Sequence, residues 1–414
     1  MSGRGALPGD LERMPLPEAE GPVVVAAPVR PPLTPGEWVR RNLFPSGFNG
    51  VLTVASAALV LFLTFQFVRF VIVTADWSVF RANLRVYMVG RFPLDQLWRV
   101  WAVVFFLAIL IGLSHGVLVP RRLTRRGVYL RVVLATLALG AMVYLVESLL
   151  VWALIAITVG LYFVGATVGR KLGRRLLRGL LAGWLLAFPV IVVLLSFGDV
   201  STEQWGGLML NVIVAVAVIA LSFPLGILLA LGRRSSLPAV SWFCVGFIEL
   251  IRGVPLLTLL IFGRFVLILL MPPGLTFAQI VRAIFMFTLF SSAYVAEIVR
   301  GGLQGVPEGQ YEAAKALGLS TTRTMALVAL PQALRNTIPP MIGHFISVFK
   351  DTSLLAALSF SDLLFTARRA SQDFEFVGHQ AEALLPAAFL FWVIAFSMSR
   401  WSQRVETRLG VGER

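Results

Sequence analysis

Long apolar runs, each nearly free of charge, alternate along the chain with short segments that carry its arginines. The runs fall at about 50–73, 98–118, 179–197, 207–231, 248–271, 279–299, 338–358 and 383–401, and residues 128–169 are apolar for about two spans' length. A run of about 18 or more such residues can cross a hydrocarbon core roughly 30 Å thick as a helix. A membrane barrel would show short alternating segments instead. The pattern predicts an all-α polytopic membrane protein with ten spans, five in each half, and a tight helical hairpin over 128–169. Residues 1–46 are proline-rich with no long apolar run, and are expected to be a disordered cytoplasmic tail. The expected divisions are this tail, an N-terminal transmembrane region at 47–199, a core at 200–402 and a basic tail at 403–414.

Charge placement then sets orientation. "PRRLTRRG", with Arg121, Arg122, Arg125 and Arg126, and "RKLGRRLLR" (Arg170–Arg178) flank an even number of spans. The positive-inside rule puts both loops, and with this count both termini, in the cytoplasm. Residues 74–99 strain that count, because Arg81, Arg85, Arg91 and Arg99 would lie outside. An interfacial amphipathic helix there, anchored by Trp77, Tyr87 and Trp98, eases the conflict.

Composition excludes several classes. The chain is 58% hydrophobic and 14% charged, more apolar than a soluble core requires. Its net charge of +15 sits beside the spans, so it argues for membrane topology and against nucleic-acid binding. A single cysteine, Cys244, excludes an intramolecular disulfide. His344 and His379 lack metal-ligand spacing, His115 follows an apolar span and is expected to be interfacial, and no metal or catalytic site is expected.

One polar stretch needs a purpose: "EGQYEAAKALGLSTTRTMALVALPQALR" (Glu308–Arg335) lies between two spans on the cytoplasmic side. Glu312, Ala313 and Ala314 favour a short helix. Gly318 suits its left-handed cap, and Ser320 suits the start of a second helix. A small-residue helix held outside the lipid is a rigid knob for a soluble partner, although an ordinary helical loop would read the same way by spacing alone.

Charges also fall inside or beside spans. Lys350, Asp351, Thr352 and Ser353 suggest a helix break facing substrate, with Asp351 accepting an ammonium and Thr352 and Ser353 hydrogen-bonding a zwitterion; a local Lys350–Asp351 pair is the alternative. Glu297 is expected at the cytoplasmic interface with Arg300. Arg252-Gly253-Val254-Pro255 reads as a helix start. Glu147 is expected near the outer interface.

Glu312-Ala313-Ala314, Gly318 and Val328-Ala329-Leu330-Pro331 resemble the EAA loop of ABC-transporter permease subunits in both identity and spacing. "IELIRGVPLL" (Ile248–Leu257), "AYVAEIVRGGLQGVPEGQYEAAKALGLS" (Ala293–Ser320), "LPQALRNTIPP" (Leu330–Pro340) and "FKDTSLL" (Phe349–Leu355) resemble the polar amino-acid uptake family. The long N-terminal half resembles the larger permease subunit of general L-amino-acid importers of the Aap and Bzt type. The resemblance implies a type I importer core of about five spans, preceded by about five accessory spans, in the bacterial inner membrane. It implies a second permease subunit (a heterodimer), a periplasmic amino-acid-binding protein and an ATPase subunit that carries ATP and Mg. It makes Glu312, Ala313, Ala314, Gly318, Leu330 and Pro331 the ATPase-docking residues, and the chain no enzyme. No G-x-x-x-x-G-K-[ST] loop occurs, and "GATVGRKLG" lacks the spacing. The alternatives are an ion-coupled secondary transporter, for which intramembrane acids are few, and a non-transporting membrane scaffold.

Overall fold

The computed structural model describes residues 34–118, 149–196 and 200–409. It divides into two units, residues 1–75 and 76–414. In the first unit, Thr34 and Glu37 form a reciprocal capping box at the start of α1 (Pro35–Leu43). Ser46 caps α2 (Gly47–Arg69), which runs on as a π-turn through Phe70–Thr74. None of α2 is buried, and it is apolar all round, as a helix facing lipid requires.

The second unit opens with α3 (Ser78–Val89), followed by α4 (Leu97–Leu118), α5 (Leu149–Leu172) and α6 (Leu177–Ser196). The expected amphipathic helix is therefore present, but it is not merely interfacial. Val79, Phe80, Leu84 and Tyr87 are buried against Leu363, Ala367, Phe376, Ala383 and Leu390, while Arg81 and Arg85 stay exposed. The Tyr87 hydroxyl donates to the Ala383 carbonyl at 2.8 Å. α4 and α5 meet through Gly112 and Gly116 on one side and Gly165 and Gly169 on the other. A Cβ on Gly116 would lie 2.3 Å from the Ala166 carbonyl oxygen, so only glycine permits this approach. Without a hydrophobic drive between helices in lipid, such close backbone contact supplies the attraction. His115 Nδ1 and the Tyr162 hydroxyl share a hydrogen bond of 2.5 Å, and Trp184 donates to Ser114 at 2.9 Å.

The remaining elements are α7 (Gly207–Arg233), α8 (Pro238–Gly253), α9 (Leu256–Ile261), α10 (Gln279–Gln304), α11 (Glu308–Ala316), α12 (Thr321–Thr324), α13 (Leu330–Asp351), α14 (Leu363–Ala370) and α15 (Gln380–Leu409). α7, α10 and α13 form the centre. One apolar cluster holds Leu210, Val214, Val218, Phe287 and Leu355, and a second, further along the same helices, holds Leu229, Val295, Val299, Leu303 and Ala333. Ser291 joins them in the interior, donating to Ser222 at 2.9 Å and bonded to His344 Nε2 at 2.9 Å.

The described residues hold seven helices long and apolar enough to span, or nine if each of two bent pairs counts as one. Ten were expected. The first helix of the 128–169 hairpin and Glu147 lie outside the described residues. The expected single span at 248–271 is corrected to two helices, while the expected helix start at Arg252–Pro255 is met by α9, which begins at Leu256. α8 begins at Pro238, Arg252 lies in its last turn, and Pro255 caps α9 after a bend of 102°. Pro255 forces the break, because Val254 before it must be extended (φ −107°, ψ 134°) and proline has no N–H to continue the ladder.

Candidate functional site

Two sites terminate α13. Before its N-terminus lies the polar loop. α11 ends in a Schellman arrangement: the Gly318 N–H donates to the Lys315 carbonyl at 2.9 Å and the Leu319 N–H to the Ala314 carbonyl at 3.1 Å. Gly318 has φ +74°, where a side chain would be strained although the space beside it is open. Ser320 then caps α12, accepting from the Arg323 N–H. Both local expectations are met.

α11 rests on the core by one narrow face. Ala314 is buried, Tyr311 donates to the Leu303 carbonyl at 3.4 Å, and Gln332 donates to Gln310 at 3.1 Å. Glu312, Ala313 and Gly318 are exposed, and Leu317 is 81% exposed at the tip. Leu330 is half-buried and Pro331 exposed in the first turn of α13.

Arg233 and Arg252, from the last turns of α7 and α8, converge with Arg300 of α10 on Glu297. Arg300 Nε donates to it at 2.9 Å, and Arg233 and Arg252 approach at 3.5 and 3.6 Å. Arg233 also reaches Glu249 at 3.4 Å, and Arg252 lies over the Tyr294 ring at 5.7 Å. The Arg300 pairing was legible as an i,i+3 spacing. Arg233 and Arg252 were not, because separate helices carry them. Three arginines on two carboxylates leave this end net positive.

At the other end of α13, Asp351 is its last residue, and the chain tightens into a 3-10 turn over Thr352–Leu358 rather than breaking. Asp351 and Ser353 are half-buried and Lys350 is exposed. Thr352 is fully buried. Its hydroxyl donates to the Phe349 carbonyl at 2.6 Å and accepts from Asn211 at 3.1 Å. Asn211 donates to Asp362 Oδ2 at 3.2 Å and accepts from the Leu363 N–H at 2.9 Å. Asp362 Oδ1 accepts from the Phe365 N–H at 2.9 Å and so caps α14. Burial pushes the Asp362 carboxyl up to about 6, against the Phe365 N–H and Asn211, which pull it down. Asn211 and Asp362 were not anticipated: a lone asparagine in an apolar run was their only signal. The Gly207 N–H donates to the Ser361 carbonyl at 2.7 Å, and α3 closes over the junction, where a Cβ on Gly207 would lie 2.5 Å from the Tyr87 carbonyl oxygen.

Residues 222–411 match the family described as the binding-protein-dependent transport system inner membrane component. The chain is 36% identical to the inner membrane amino-acid ABC transporter permease protein YhdY of Escherichia coli K12, over 91% of this chain and 93% of that one. It is 33% identical to the glutamate/glutamine/aspartate/asparagine transport system permease protein BztC of Rhodobacter capsulatus, over 90% and 93%. A probable glutamine ABC transporter permease, GlnP of Bacillus subtilis, is 33% identical but matches only 49% of this chain against 92% of its own length. Similarity sustained over nine-tenths of two such proteins, around an exposed helix–glycine–helix loop and several apolar spans, places the chain among the ABC-transporter permeases, multi-pass inner-membrane subunits that work with a substrate-binding protein and a separate ATPase subunit and are not themselves enzymes.

Proposed function

We propose that this chain forms half of the translocation pathway of an amino-acid importer and docks its ATPase through α11. The observation that carries the docking is the tip of that helix. Leu317 is 81% exposed just past the last turn of a helix that Ala314, Tyr311 and Gln310 anchor. Glu312, Ala313, Lys315 and Ala316 are exposed beside it, so the preformed helix offers a partner a small-residue face with an apolar tip. On this reading Glu312, Ala313, Ala314, Gly318, Leu330 and Pro331 form or support the docking face, and the loop end of α13 is cytoplasmic, as are both chain termini. ATP and Mg bind the ATPase. Its closure pulls α11, and the spans continuous with it tilt as rigid bodies.

The relatives' names supply the substrate class, and a second, different permease completes the pathway. Asp351 faces the ligand's ammonium, with Ser353 beside it and Thr352 holding the turn through Asn211. The spans preceding α7 are accessory to the pathway, although Val103 of α4 and Ile191 and Leu195 of α6 pack into the same apolar cluster as α7 and α10, and the short helix α3 packs on α14 and α15. Copurification of Gly318→Asp with the ATPase tests the reading. Weakened assembly, or hydrolysis uncoupled from uptake, is expected; normal copurification and normal uptake would reject it.

A further inference from the structure

Two arginines meet no acid, one in the second arm of the bent apolar pair Pro238–Gly253 and Leu256–Leu270, the other in the span Gln279–Gln304. Arg264 lies in the π-turn Phe262–Val266 that follows α9, and Arg282 in the first turn of α10. Arg282 is only 5% exposed. It donates from one terminal nitrogen to the Arg264 carbonyl at 2.8 Å, while its Nε is buried without a partner. Arg264 is half-buried, donates to the Leu358 carbonyl, and stacks against the Phe360 and Phe265 rings at 5.0 and 5.3 Å. Among the described residues no carboxylate lies within 4.0 Å of either guanidinium. Backbone carbonyls satisfy single N–H groups but do not neutralise two charges. Ionised groups at membrane depth ordinarily pair, or mark the path of a charged ligand. Guanidinium is the side chain best matched to a carboxylate.

We propose that Arg264 and Arg282 form a carboxylate-binding site at the end of the core that holds Leu358. The site is separate from Asp351. The intervening 3-10 turn has seven residues, so it rises roughly 14 Å, far more than separates the ammonium and carboxylate of one amino acid. One substrate cannot bridge both at once. The arginine pair is then the first station, holding the carboxylate of an arriving substrate before its ammonium reaches Asp351. This ordering rests on the importer reading above; the carboxylate site does not.

The assembled complex is purified, and its thermal stability is titrated with acetate against chloride at fixed ionic strength. Uptake of L-glutamine is measured separately in vesicles with the binding protein. Acetate should stabilise the wild-type complex. Arg264→Gln and Arg282→Gln should remove that response, Arg264→Lys should retain part of it, and the half-saturating L-glutamine concentration should rise about tenfold or more in the glutamine variants. No acetate response in the wild type, or an equal one in the variants, overturns the site. So does failure of both glutamine variants to assemble, because the arginines would then be staples for the Leu358 and Arg264 carbonyls. An acetate response with no L-glutamine uptake keeps the site and counts against the transport reading instead.

Discussion

At one end of α13, Glu308–Thr324 places only Ala314 and Thr324 fully inside the protein and leaves Leu317 in the open. At the other end, Asn211, Thr352, Asp362 and Leu363 are completely buried, tied together by side-chain hydrogen bonds and lidded by Tyr87. Both regions lie where long helices give way to short ones: α11 and α12 before α13, and the 3-10 turn and α14 after it, where they meet Asn211 of α7. One is held together by local backbone bonds, the other by contacts 141 to 296 residues apart in sequence. A region that must grip a moving partner needs a stiff, uncovered surface. A region that must keep four helix ends in register needs buried, saturated polar groups. Substitutions should therefore cost folding stability at the Asp362 end and assembly at the Gly318 end.

The largest stability loss is expected for Tyr87→Ala. It empties a fully buried aromatic site and orphans the Ala383 carbonyl, at a cost of about 3–5 kcal/mol. Thermal denaturation of the purified complex would show it, and an unchanged midpoint would mean that α3 is not part of the core. Asn211→Leu should follow, at on the order of 3 kcal/mol, because Asp362 and the Leu363 N–H both lose a buried partner.

The same network predicts a pH effect. The folded-state pKa of Asp362 is raised by burial from 3.8 to about 6, so the folded protein binds the proton more tightly than the unfolded chain. The contribution of this group is fully present below about pH 4 and declines as pH rises to about 6. Asp362→Asn should flatten that decline. A wild-type stability profile with the opposite slope between pH 4 and 6, itself reversed by the substitution, would contradict the assignment.

At the other end, Gly318→Ala should cost only about 1–2 kcal/mol, from the positive φ alone, since nothing lies within 4 Å of the added methyl. Leu317→Asp should leave the folding stability within about 0.5 kcal/mol of wild type, as exposed substitutions do. It should nevertheless reduce the amount of ATPase that copurifies. A stability loss without an assembly defect in Leu317→Asp would erase the contrast between the two ends.

Legibility in the sequence followed the range of the interactions. The apolar runs announced a polytopic helical protein, because twenty lipid-facing side chains must each be apolar wherever their neighbours lie. Gly318 and Ser320 were readable as caps, since a Schellman turn and an N-cap are completed within six residues. Glu297 with Arg300 was readable for the same reason. Helix ends set by a proline were half readable: Pro255 marked a boundary, but the 102° turn there depends on what α8 and α9 each pack against. Only the tertiary structure decided that α3 belongs to the core, that Arg233 and Arg252 share Glu297 with Arg300, that Thr352 turns toward Asn211 and Asp362, and that Arg264 and Arg282 meet without an acid. Each of those joins side chains on different elements, and no periodicity within one helix records which face of another it will meet.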